Sequence, residues 1–584
     1  MKKLFTAMSL IAMVVLFSAP SQSYGQSGTL LVYAGGTQTR TIDQIIGADT
    51  LTGGVQAHSV YQLVSLDTTY LLDATITVKS SVSIVGVPGS NGQLPCIQAD
   101  LVGTAITGIF FTFNGKGTRV NLENLYLLGV APNNANNTGA GQGVQVSADN
   151  ISLTVFNCVF DNMSQFEIAY GANGCNFYIN NSKFRNGIDV ASAYYVPELL
   201  RSLNGAGNWS TDTIDIKYNT LLGVAMGPVE TTGLTTYMNF SHNDVILTSK
   251  GPFWSEREAN LVFDDNIFYD TYAVGESKGE YTGGWDEIKP PRIPSIFYLA
   301  PLDSATGARL LGHAITSPAD SAAAEAARKI QVKNNAYFWS SGLTTFWTSW
   351  NDTAHVDSIY TPVFMNNETA AMFSNSTGYP NFVQSGNVNS DPGFGPSIDE
   401  VLNPPGSVTN DGVGLLAWIA AVRGGTGTTQ YYAYKRTQVP QPQPGNWVPT
   451  WPLPEAADLA YTNATLKSSS TDGLPLGDPY WFNGITAVKQ QQLAMLPAKF
   501  ELSNNYPNPF NPSTTIKASL KSAGAMSLTI YNVLGQVVQV VDQGYKPAGE
   551  YVYNVNMDRF ASGVYFYTLR QGTNVVTKKM LLLK

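Results

Sequence analysis

Three residues in successive copies of a short repeat could carry acid–base chemistry. Lys217, His242 and Asp265 each lie just before, or at, the point where a strand-like segment bends. His242 beside Asp265 would form an acid–base pair, and Lys217 would act as a Brønsted base if burial or neighbouring charges lowered its pKa. We therefore take Lys217, His242 and Asp265 as the candidate catalytic residues.

Carboxylates at the same bends could bind a hard cation. Asp244, Asp264 and Asp265 offer the oxygen ligands that Ca²⁺ prefers. The same side chains would also suit a solvated polar face, which is the more common arrangement. The sequence leaves both interpretations open, and Ca²⁺ is the cofactor that the first one suggests.

An aromatic group further along the chain could bind sugars. Phe346, Trp347 and Trp350 present flat apolar faces of the kind that stack on pyranose rings. The same three rings could instead cover the open end of a repeat domain. The sequence does not decide between these two roles.

The elements that would position these residues belong to a repeat. Each copy has two apolar positions at a spacing of two, a small polar residue at a bend, and a third apolar position, and the recurring unit is 23 to 24 residues long. Asn124 begins an earlier copy whose upstream alternation is shifted by one residue. The six clearest copies are residues 153–160, 177–184, 214–221, 238–245, 261–268 and 330–337.

A period in the range of about 20–50 residues is typical of a solenoid. Alternation within each copy predicts short strands, so that inward side chains stack on their counterparts one coil away. The third apolar positions, Phe160, Phe184, Leu221, Val245 and Phe268, should then form one buried column. An asparagine at the bend could bond the asparagine of the next coil. An antiparallel sandwich would not explain a bend at constant offset.

This pattern resembles the right-handed parallel β-helix of the pectate-lyase-like superfamily, over roughly residues 55 to 400. In that superfamily Ca²⁺ acidifies the proton beside a uronate carboxylate, and a Lys or Arg removes it. The resemblance therefore implies a polysaccharide lyase, with a glycoside hydrolase as a related alternative. Family motifs do not support the activity, because residues 292–297 begin like an Arg-x-Pro-x-x-Arg motif but end in Phe297.

The amino terminus reads as an export signal. Lys2 and Lys3 precede an apolar run from Leu4 to Phe17, and small and polar residues follow up to Gly25. This run of 14 residues is shorter than the ~20 that a membrane span requires. We predict a signal peptide over residues 1–25 and no transmembrane segment after its removal.

The carboxyl terminus, residues 496–584, has a different texture. Residues 506–512 read Tyr-Pro-Asn-Pro-Phe-Asn-Pro, and alternating strand-length runs follow, joined by Gly and Asn. These runs predict a small antiparallel β-sandwich. The segment resembles the type A sorting domain of the type IX secretion system. That resemblance implies contact with the secretion machinery, passage through the periplasm, and release or attachment at the outer cell surface.

Two further segments complete the predicted organisation. Ser317, Pro318 and the Ala-rich run behind them predict a helical insertion near 317–330, within a β-helix that spans 26–400. Residues 401–495 carry no repeat and are rich in proline, so they predict an irregular closing segment and linker. Cys158 and Cys175 could form a bridge or remain buried thiols.

Composition limits the function classes. The formal net charge is −9 and the sequence pI is about 5.1, so the chain as a whole does not attract nucleic acid. The predicted fold class is all-β: a right-handed parallel β-helix followed by a small antiparallel β-sandwich. The expected function is a secreted or cell-surface protein that binds polysaccharide or another extended polymer, and a polysaccharide lyase or hydrolase is the alternative.

Overall fold

The structure is a computed structural model of the 584-residue chain. It divides into two units, one spanning Gln26–Ala494 and one containing Met495–Lys584. The predicted signal peptide and most of the proline-rich linker lie outside the described residues. The structure describes residues 27–34, 40–66, 68–102, 105–132, 141–187, 197–203, 209–251, 253–255, 257–275, 294–352, 359–403, 414–424, 437–439, 446–448, 453, 456–482, 500–520, 524–546, 549–572 and 574–584.

The described part of the first unit forms three long parallel sheets, with each coil contributing one strand to each sheet in most of the repeat. Sheet 1 consists, within the described ranges, of Ser27–Val32, His58–Leu63, Val82–Gly86, Arg119–Glu123, Ser152–Phe156, Cys175–Asn180, Thr211–Lys217, Thr235–Ser241, Asn260–Asp264, Lys329–Lys333 and Phe382–Ser385. This arrangement is a parallel β-helix, as the sequence predicts.

The other two sheets follow sheet 1 within the coils. Sheet 2 contains, in the described part of the chain, Tyr70–Leu72, Cys96–Ala99, Tyr126–Leu128, Val159–Asp161, Lys183–Arg185, Thr220–Leu222, Asp244–Ile246, Ile267–Tyr269, Ala336–Phe338 and Val388–Asn389. Sheet 3 contains, over the same described residues, Ile76–Val78, Ile109–Phe113, Gln142–Val146, Phe166–Tyr170, Glu198–Ser202, Gly227–Thr231 and Phe253–Ser255.

The predicted inward column is present in sheet 2. Phe160, Phe184, Leu221, Val245 and Phe268 are paired in register from coil to coil, and all five are fully buried. The rings of Phe160 and Phe184 stack with their centroids 5.1 Å apart. Stacking of like residues removes large apolar side chains from water in every coil and so stabilises the repeat.

A ladder of polar side chains runs inside the bend between sheets 1 and 2. Asn243 is representative: its Oδ1 accepts from the Nδ2 and backbone N–H of Asn219, at 3.0 and 3.1 Å. Its Nδ2 donates to Oδ1 of Asn266, at 3.1 Å, and to the carbonyl of Ile216, at 3.0 Å. The sequence-predicted contact between asparagines of neighbouring coils is therefore present. The ladder positions are Cys158, Ser182, Asn219, Asn243, Asn266, Asn335 and Asn387.

Asn124 does not belong to this ladder. Its side chain accepts from Asn157 of the next coil, at 2.7 Å, in the position before the ladder residue, and Leu125 occupies the ladder place. This explains the one-residue shift of the alternation seen in the sequence.

Helices and short strand pairs surround the coils. The helix Pro318–Ala327 begins after Ser317, whose side chain accepts from the backbone N–H of Asp320 in a capping box. The described short strand pairs are Leu101–Val102 with Ala105–Ile106, Ser295–Phe297 with Val363–Met365, and Thr437–Val439 with Asn446–Val448. The helical segments in the described residues are Ile42–Ile46, Ser304–Leu311, Pro318–Ala327, Ser341–Asp352, Asn367–Ser374, Ser397–Leu402, Leu415–Arg423, Ala456–Leu459, Leu466–Ser468 and Pro479–Trp481.

The outer face of sheet 2 carries apolar side chains that later segments cover. Leu222, Ile246 and Tyr269 pack against the helices at Ser341–Asp352, Ser397–Leu402 and Leu415–Arg423. The neighbouring outward column at Ile267 and Ala336 packs against Tyr461, Leu466 and Leu476. This covering is the main structural role of the closing segment.

The unit that contains Met495–Lys584 has its own apolar core. Described strands Glu501–Leu502, Ser513–Leu520 and Gly549–Asn556 form one antiparallel sheet. A second antiparallel sheet contains, within the same described part, Gly524–Tyr531, Val537–Lys546, Gly563–Gln571 and Asn574–Leu582. Ile516, Leu528, Tyr567 and Met580 are among the buried residues between the sheets.

The cysteines of the β-helix are buried thiols. Cys96, Cys158 and Cys175 are free and buried. Burial raises the pKa of the Cys158 thiol to about 12, which keeps it protonated. Among the described residues, no helix combines the length and apolar character needed to cross a membrane.

We predict that Asn243→Ala lowers the free energy of unfolding by about 2–4 kcal/mol, because the Asn219 amide and backbone N–H lose a buried acceptor. Urea unfolding followed by circular dichroism measures the change. Asn389→Ala, at an exposed strand position, is the control and should change stability by less than about 0.5 kcal/mol. Equal effects of the two substitutions would contradict the role of the ladder.

Candidate functional site

The outer face of sheet 1 carries polar residues in register over many coils. Because side chains alternate across a strand, each coil presents two outward positions just before the bend. The first column contains Asn121, Thr154, Tyr178, Asp215, Asn239, Val262 and Gln331. The second column contains Glu123, Phe156, Asn180, Lys217, Ser241, Asp264 and Lys333.

The charge of Lys217 is paired with a carboxylate of its own strand. Its Nζ lies 3.0 Å from Oδ2 of Asp215, two residues earlier on the same outer face. The other carboxylate oxygen of Asp215 accepts from Nδ2 of Asn239, at 2.8 Å, in the next coil. Lys217 therefore belongs to a polar network on sheet 1 and is paired with a carboxylate other than Asp265.

His242 and Asp265 lie in the bend itself, in a column of left-handed backbone. Tyr218, His242 and Asp265 have φ of 59°, 53° and 60°. Asparagine occupies the same position in neighbouring coils, at Asn181 and Asn334 for example. Asparagine, aspartate and histidine are the non-glycine residues found most often in this conformation, whereas tyrosine adopts it at a cost in free energy. Tyr218 is therefore the strained member of the column.

The structure brings His242 and Asp265 together, as the sequence suggests, and adds a partner from a distant segment. Nε2 of His242 lies 3.5 Å from Oδ2 of Asp265 and 3.3 Å from Oδ2 of Asp472. Its Nδ1 lies 3.2 Å from the carbonyl oxygen of Pro475, and its ring stacks on Tyr218 at 5.4 Å. The side chains of His242 and Asp265 are each 5% exposed.

The segment that covers them is a strap, residues 470–481. Thr471 donates to Oδ2 of Asp265 at 3.3 Å, and the backbone N–H of Gly477 donates to the Asp265 carbonyl at 2.8 Å. A Cβ at Gly477, which has φ of +72°, would lie 1.9 Å from Oδ1 of Asp244. Glycine is therefore required where the strap crosses the bend.

The strap is also anchored on sheet 2. Oδ2 of Asp478 accepts from Thr220 at 2.9 Å and lies 3.4 Å from Nζ of Lys183. Nε1 of Trp481 donates to the same Thr220 hydroxyl at 2.7 Å, and Nζ of Lys183 lies 3.7 Å from the centroid of the Tyr480 ring. Charged, hydrogen-bonded and cation–π contacts together fix the strap on the coils.

The electrostatics of the bend favour a charged histidine. Burial opposes the charged form, but the hydrogen bond and charge of Asp472, with the charge of Asp265, raise the pKa of His242. Burial also acts to raise the pKa of Asp472, yet the pairing with His242 lowers it overall. Burial raises the pKa of Asp265. The hydrogen bond and charge of Asp472 and the charge of Asp265 thus favour the protonated form of His242.

The three predicted metal ligands have different surroundings. Asp264 accepts from Gln331 and from the backbone N–H of Lys333, and burial raises its pKa to about 6. Asp244 lies under Gly477, where burial and then the charge of Asp478 raise its pKa well above the ordinary value. Asp265 faces His242. These positions do not gather Asp244, Asp264 and Asp265 around one ion.

No group of three or more His, Cys, Asp or Glu side chains suited to a metal ion occurs in the described part of the chain. The described arrangement therefore does not gather Asp244, Asp264 and Asp265, the Ca²⁺ ligands expected from the sequence, into one cation site.

The aromatic candidates lie on the helix Ser341–Asp352, against the closing segment. Trp347 is buried, and its indole N–H donates to the carbonyl of Ala273 at 3.1 Å. Phe346 and Trp350 are half-buried, with their rings 6.0 Å apart. Trp347 thus packs in the core, and the faces of Phe346 and Trp350 are partly accessible.

Sequence reasoning missed charged groups on the strap and on sheet 3. The strap residues Asp472 and Asp478 follow no repeat, so nothing in the sequence aligned them with the coils. On sheet 3, Arg201 Nη1 bonds both Glu198 and Glu230, the latter at 2.5 Å. Burial raises the pKa of Glu198 well above its ordinary value. The register that pairs Arg201 with Glu230 could have revealed this group once the third strand was aligned.

Comparison with known proteins identifies the carboxyl-terminal part. Residues 504–583 match the family described as a secretion system C-terminal sorting domain. No curated protein matches the chain. The match supports a cargo of the type IX secretion system, and it indicates export to the cell surface or the medium through the machinery of that system.

We predict that the strap weakens as the pH rises. The raised pKa of His242 means that its pairing contributes stability below about pH 6.5, the ordinary histidine value, and that this contribution is lost as the pH rises through the higher folded value. The lowered pKa of Asp472 removes the pairing only in acid, below about pH 4. Urea unfolding at a series of pH values from about 6.5 to 9 should show that the free energy of unfolding declines as the pH rises. His242→Gln should abolish this decline.

His313→Gln is the control, because it removes an exposed imidazole between the helices Ser304–Leu311 and Pro318–Ala327. This variant should keep the wild-type decline. A His242→Gln protein with the same decline as the wild type would show that Asp472 and His242 are not coupled.

Proposed function

We propose that this protein is an exported cargo whose β-helix binds polysaccharide or another extended polymer outside the cell, along the outer face of sheet 1. The observation that carries this proposal is the contrast between two faces. Apolar side chains on the outer face of sheet 2 are covered by the closing segment. On the outer face of sheet 1, polar side chains of one in-register column, such as Asn121, Thr154 and Asn239, are half-buried and can contact a ligand.

The spacing of sheet 1 suits a linear polymer. Counterparts in neighbouring coils stand about 4.8 Å apart, so a chain lying along the β-helix axis would meet one outward side chain of each column at every coil. The hydroxyl of Thr154 and the amides of Asn121 and Asn239 can donate to and accept from sugar hydroxyls. A repeating ligand would gain affinity from many weak contacts.

The charges on this face favour a neutral or weakly charged polymer. Lys217 is paired with Asp215, and Nζ of Lys333 donates to Oε1 of Gln331 at 2.8 Å. To bind a strongly anionic polymer, the ammonium groups of Lys217 and Lys333 would have to leave these partners, which costs free energy. Hydroxyl-rich polysaccharides carry no such requirement.

We predict that Thr154→Arg reduces polysaccharide binding about tenfold or more, because a long charged side chain would block a half-buried step of the face. Thr112→Arg is the matched control, since Thr112 is also half-buried but lies on the outer face of sheet 3. Sedimentation with a panel of insoluble polysaccharides measures binding. Equal losses in both variants would argue against sheet 1 as the binding face.

A polysaccharide lyase or hydrolase is the second candidate, and the pairing of His242 with Asp265 at 3.5 Å favours it. An imidazole held by a carboxylate can transfer a proton to or from a substrate. The strap covers this pair through Asp472 and Pro475. Catalysis at His242 would therefore require the strap to move, and Lys217 would have to leave Asp215 to act as a base.

The enzyme candidate is tested by incubating the full mature protein with uronate and neutral polysaccharides, with and without added Ca²⁺. Unsaturated products are followed by ultraviolet absorbance and new reducing ends by a colorimetric assay. If the bend is catalytic, His242→Ala and Asp265→Ala should abolish turnover and Lys217→Ala should reduce it. A wild-type protein that is inactive on the whole panel would leave polymer binding as the function.

A further inference from the structure

The four-stranded sheet of the carboxyl-terminal unit has an exposed apolar surface at one end. Tyr531 lies opposite Val537 on one side and Phe566 on the other, and Phe566 lies opposite Lys579. Directly paired residues of an antiparallel sheet share a face. The adjacent positions Ile530 and Tyr567 are fully buried, so Tyr531, Val537, Phe566 and Lys579 occupy the outer face.

The turn beside this row also presents apolar side chains to water. Leu534 is 78% exposed and Val533 is 67% exposed. We use the name turn-end patch for Val533, Leu534, Val537 and Phe566, of which Phe566 is the least exposed at 37%. Turns usually carry Gly, Asn, Asp or Ser, and large apolar residues in them are uncommon.

Asn532 holds the turn in one shape. Its Oδ1 accepts from the backbone N–H groups of Leu534 and Gln536, both at 3.0 Å. Its backbone N–H donates to the Gln536 carbonyl, and Gly535, at φ of +76°, donates to the Asn532 carbonyl. The exposed side chains are therefore presented by an ordered turn, which lowers the entropy lost on binding.

Folding of this unit does not require the patch to be apolar. Leu528, Ile530 and Tyr567 already fill the core between the two sheets. Exposed apolar surface at a sheet end promotes unwanted association and is normally avoided. A contact with another protein would explain why this surface has been kept.

Charge indicates the kind of partner. Residues 495–584 contain nine Lys and Arg against four Asp and Glu, although the whole chain has 33 against 42. Lys579 stands beside Phe566 at the rim of the patch. A partner with an apolar pocket bordered by carboxylates would complement both the patch and its basic rim.

We infer that the turn-end patch docks the carboxyl-terminal unit into an apolar, acid-rimmed pocket of a protein of the export machinery. This inference rests on the export function proposed above and specifies the surface through which the unit is recognised. The patch lies within residues 504–583, the part of the chain that matches the sorting family.

The test uses the full-length protein produced in a bacterium that has this export system. Leu534→Ser and Phe566→Ser should each reduce delivery to the surface or medium at least about tenfold, as expected for the loss of one central interface side chain, and the protein should accumulate in the periplasm. Lys579→Glu should reduce delivery as well. Thermal unfolding of the purified variants should match the wild type, because these side chains are not part of the core.

Val575→Ser is the matched control, since Val575 is 44% exposed on the last strand but lies next to the opposite turn. It should be delivered normally. A chain lacking residues 495–584 distinguishes the two levels of the argument. If that chain is retained while Leu534→Ser and Phe566→Ser are delivered normally, the docking surface is wrong and the export function stands.

Three other results would overturn the inference. Normal delivery of the truncated chain would remove the export function and the docking surface with it. Retention of Val575→Ser would mean that the effect is not specific to the patch. Sedimentation showing a dimer that Leu534→Ser dissociates, with delivery unchanged, would assign the patch to a second copy of this chain.

Discussion

A buried asparagine amide inside the bend between sheets 1 and 2 cannot reach water, so its donors and acceptors must be satisfied by neighbouring coils. Asn243 meets this requirement by accepting from Asn219 and donating to Asn266. A shift of one residue would leave these groups unpaired, at about 1–3 kcal/mol for each. The ladder therefore fixes the register of every coil it joins. All outward side chains of those coils inherit this register, including the columns on sheet 1 that form the proposed binding face.

The outer side of the same bend has been adapted locally to hold the strap. Asparagine suits the left-handed backbone there, yet Tyr218, His242 and Asp265 replace it in three consecutive coils. His242 contacts Asp472 and Pro475, and Asp265 contacts Thr471, so these two replacements attach the bend to the strap. Tyr218, the strained member of the column, stacks on the His242 ring. The neighbouring Asp472 and Asp265 raise the pKa of His242 and so favour its protonated form. The same arrangement keeps the imidazole away from any ligand while the strap is in place.

The repeat could be derived from sequence because its cause is local. Apolar residues such as Leu221 and Val245 recur with the period of a coil, and burial in one column follows from that period. The strap could not be derived, because Asp472 lies about 230 residues from His242 and follows no period. His242 and Asp265 hold the same position in successive copies of the repeat, and this correctly predicts that they lie side by side. The shared position could not reveal that Asp472 covers them, or that Asp264 is bonded to Gln331.

The outward columns of sheet 2 show how a closing segment can be recognised once the register is known. Apolar outward residues such as Val159, Ile267 and Ala336 must be covered, because uncovered columns would expose a continuous apolar surface. Polar residues interrupt the same column at Lys183, Thr220 and Asp244. Lys183 and Thr220 are bonded to polar groups of the strap, and Asp244 lies under Gly477 of the strap. A polar interruption in a covered column thus marks where the covering segment is attached. On sheet 1 the outward columns are predominantly polar. Tyr178, Asn180, Asp215 and Asp264 are buried there, whereas Asn121, Thr154, Asn239 and Gln331 are half-buried, so the half-buried positions are the part of that face that a ligand can contact.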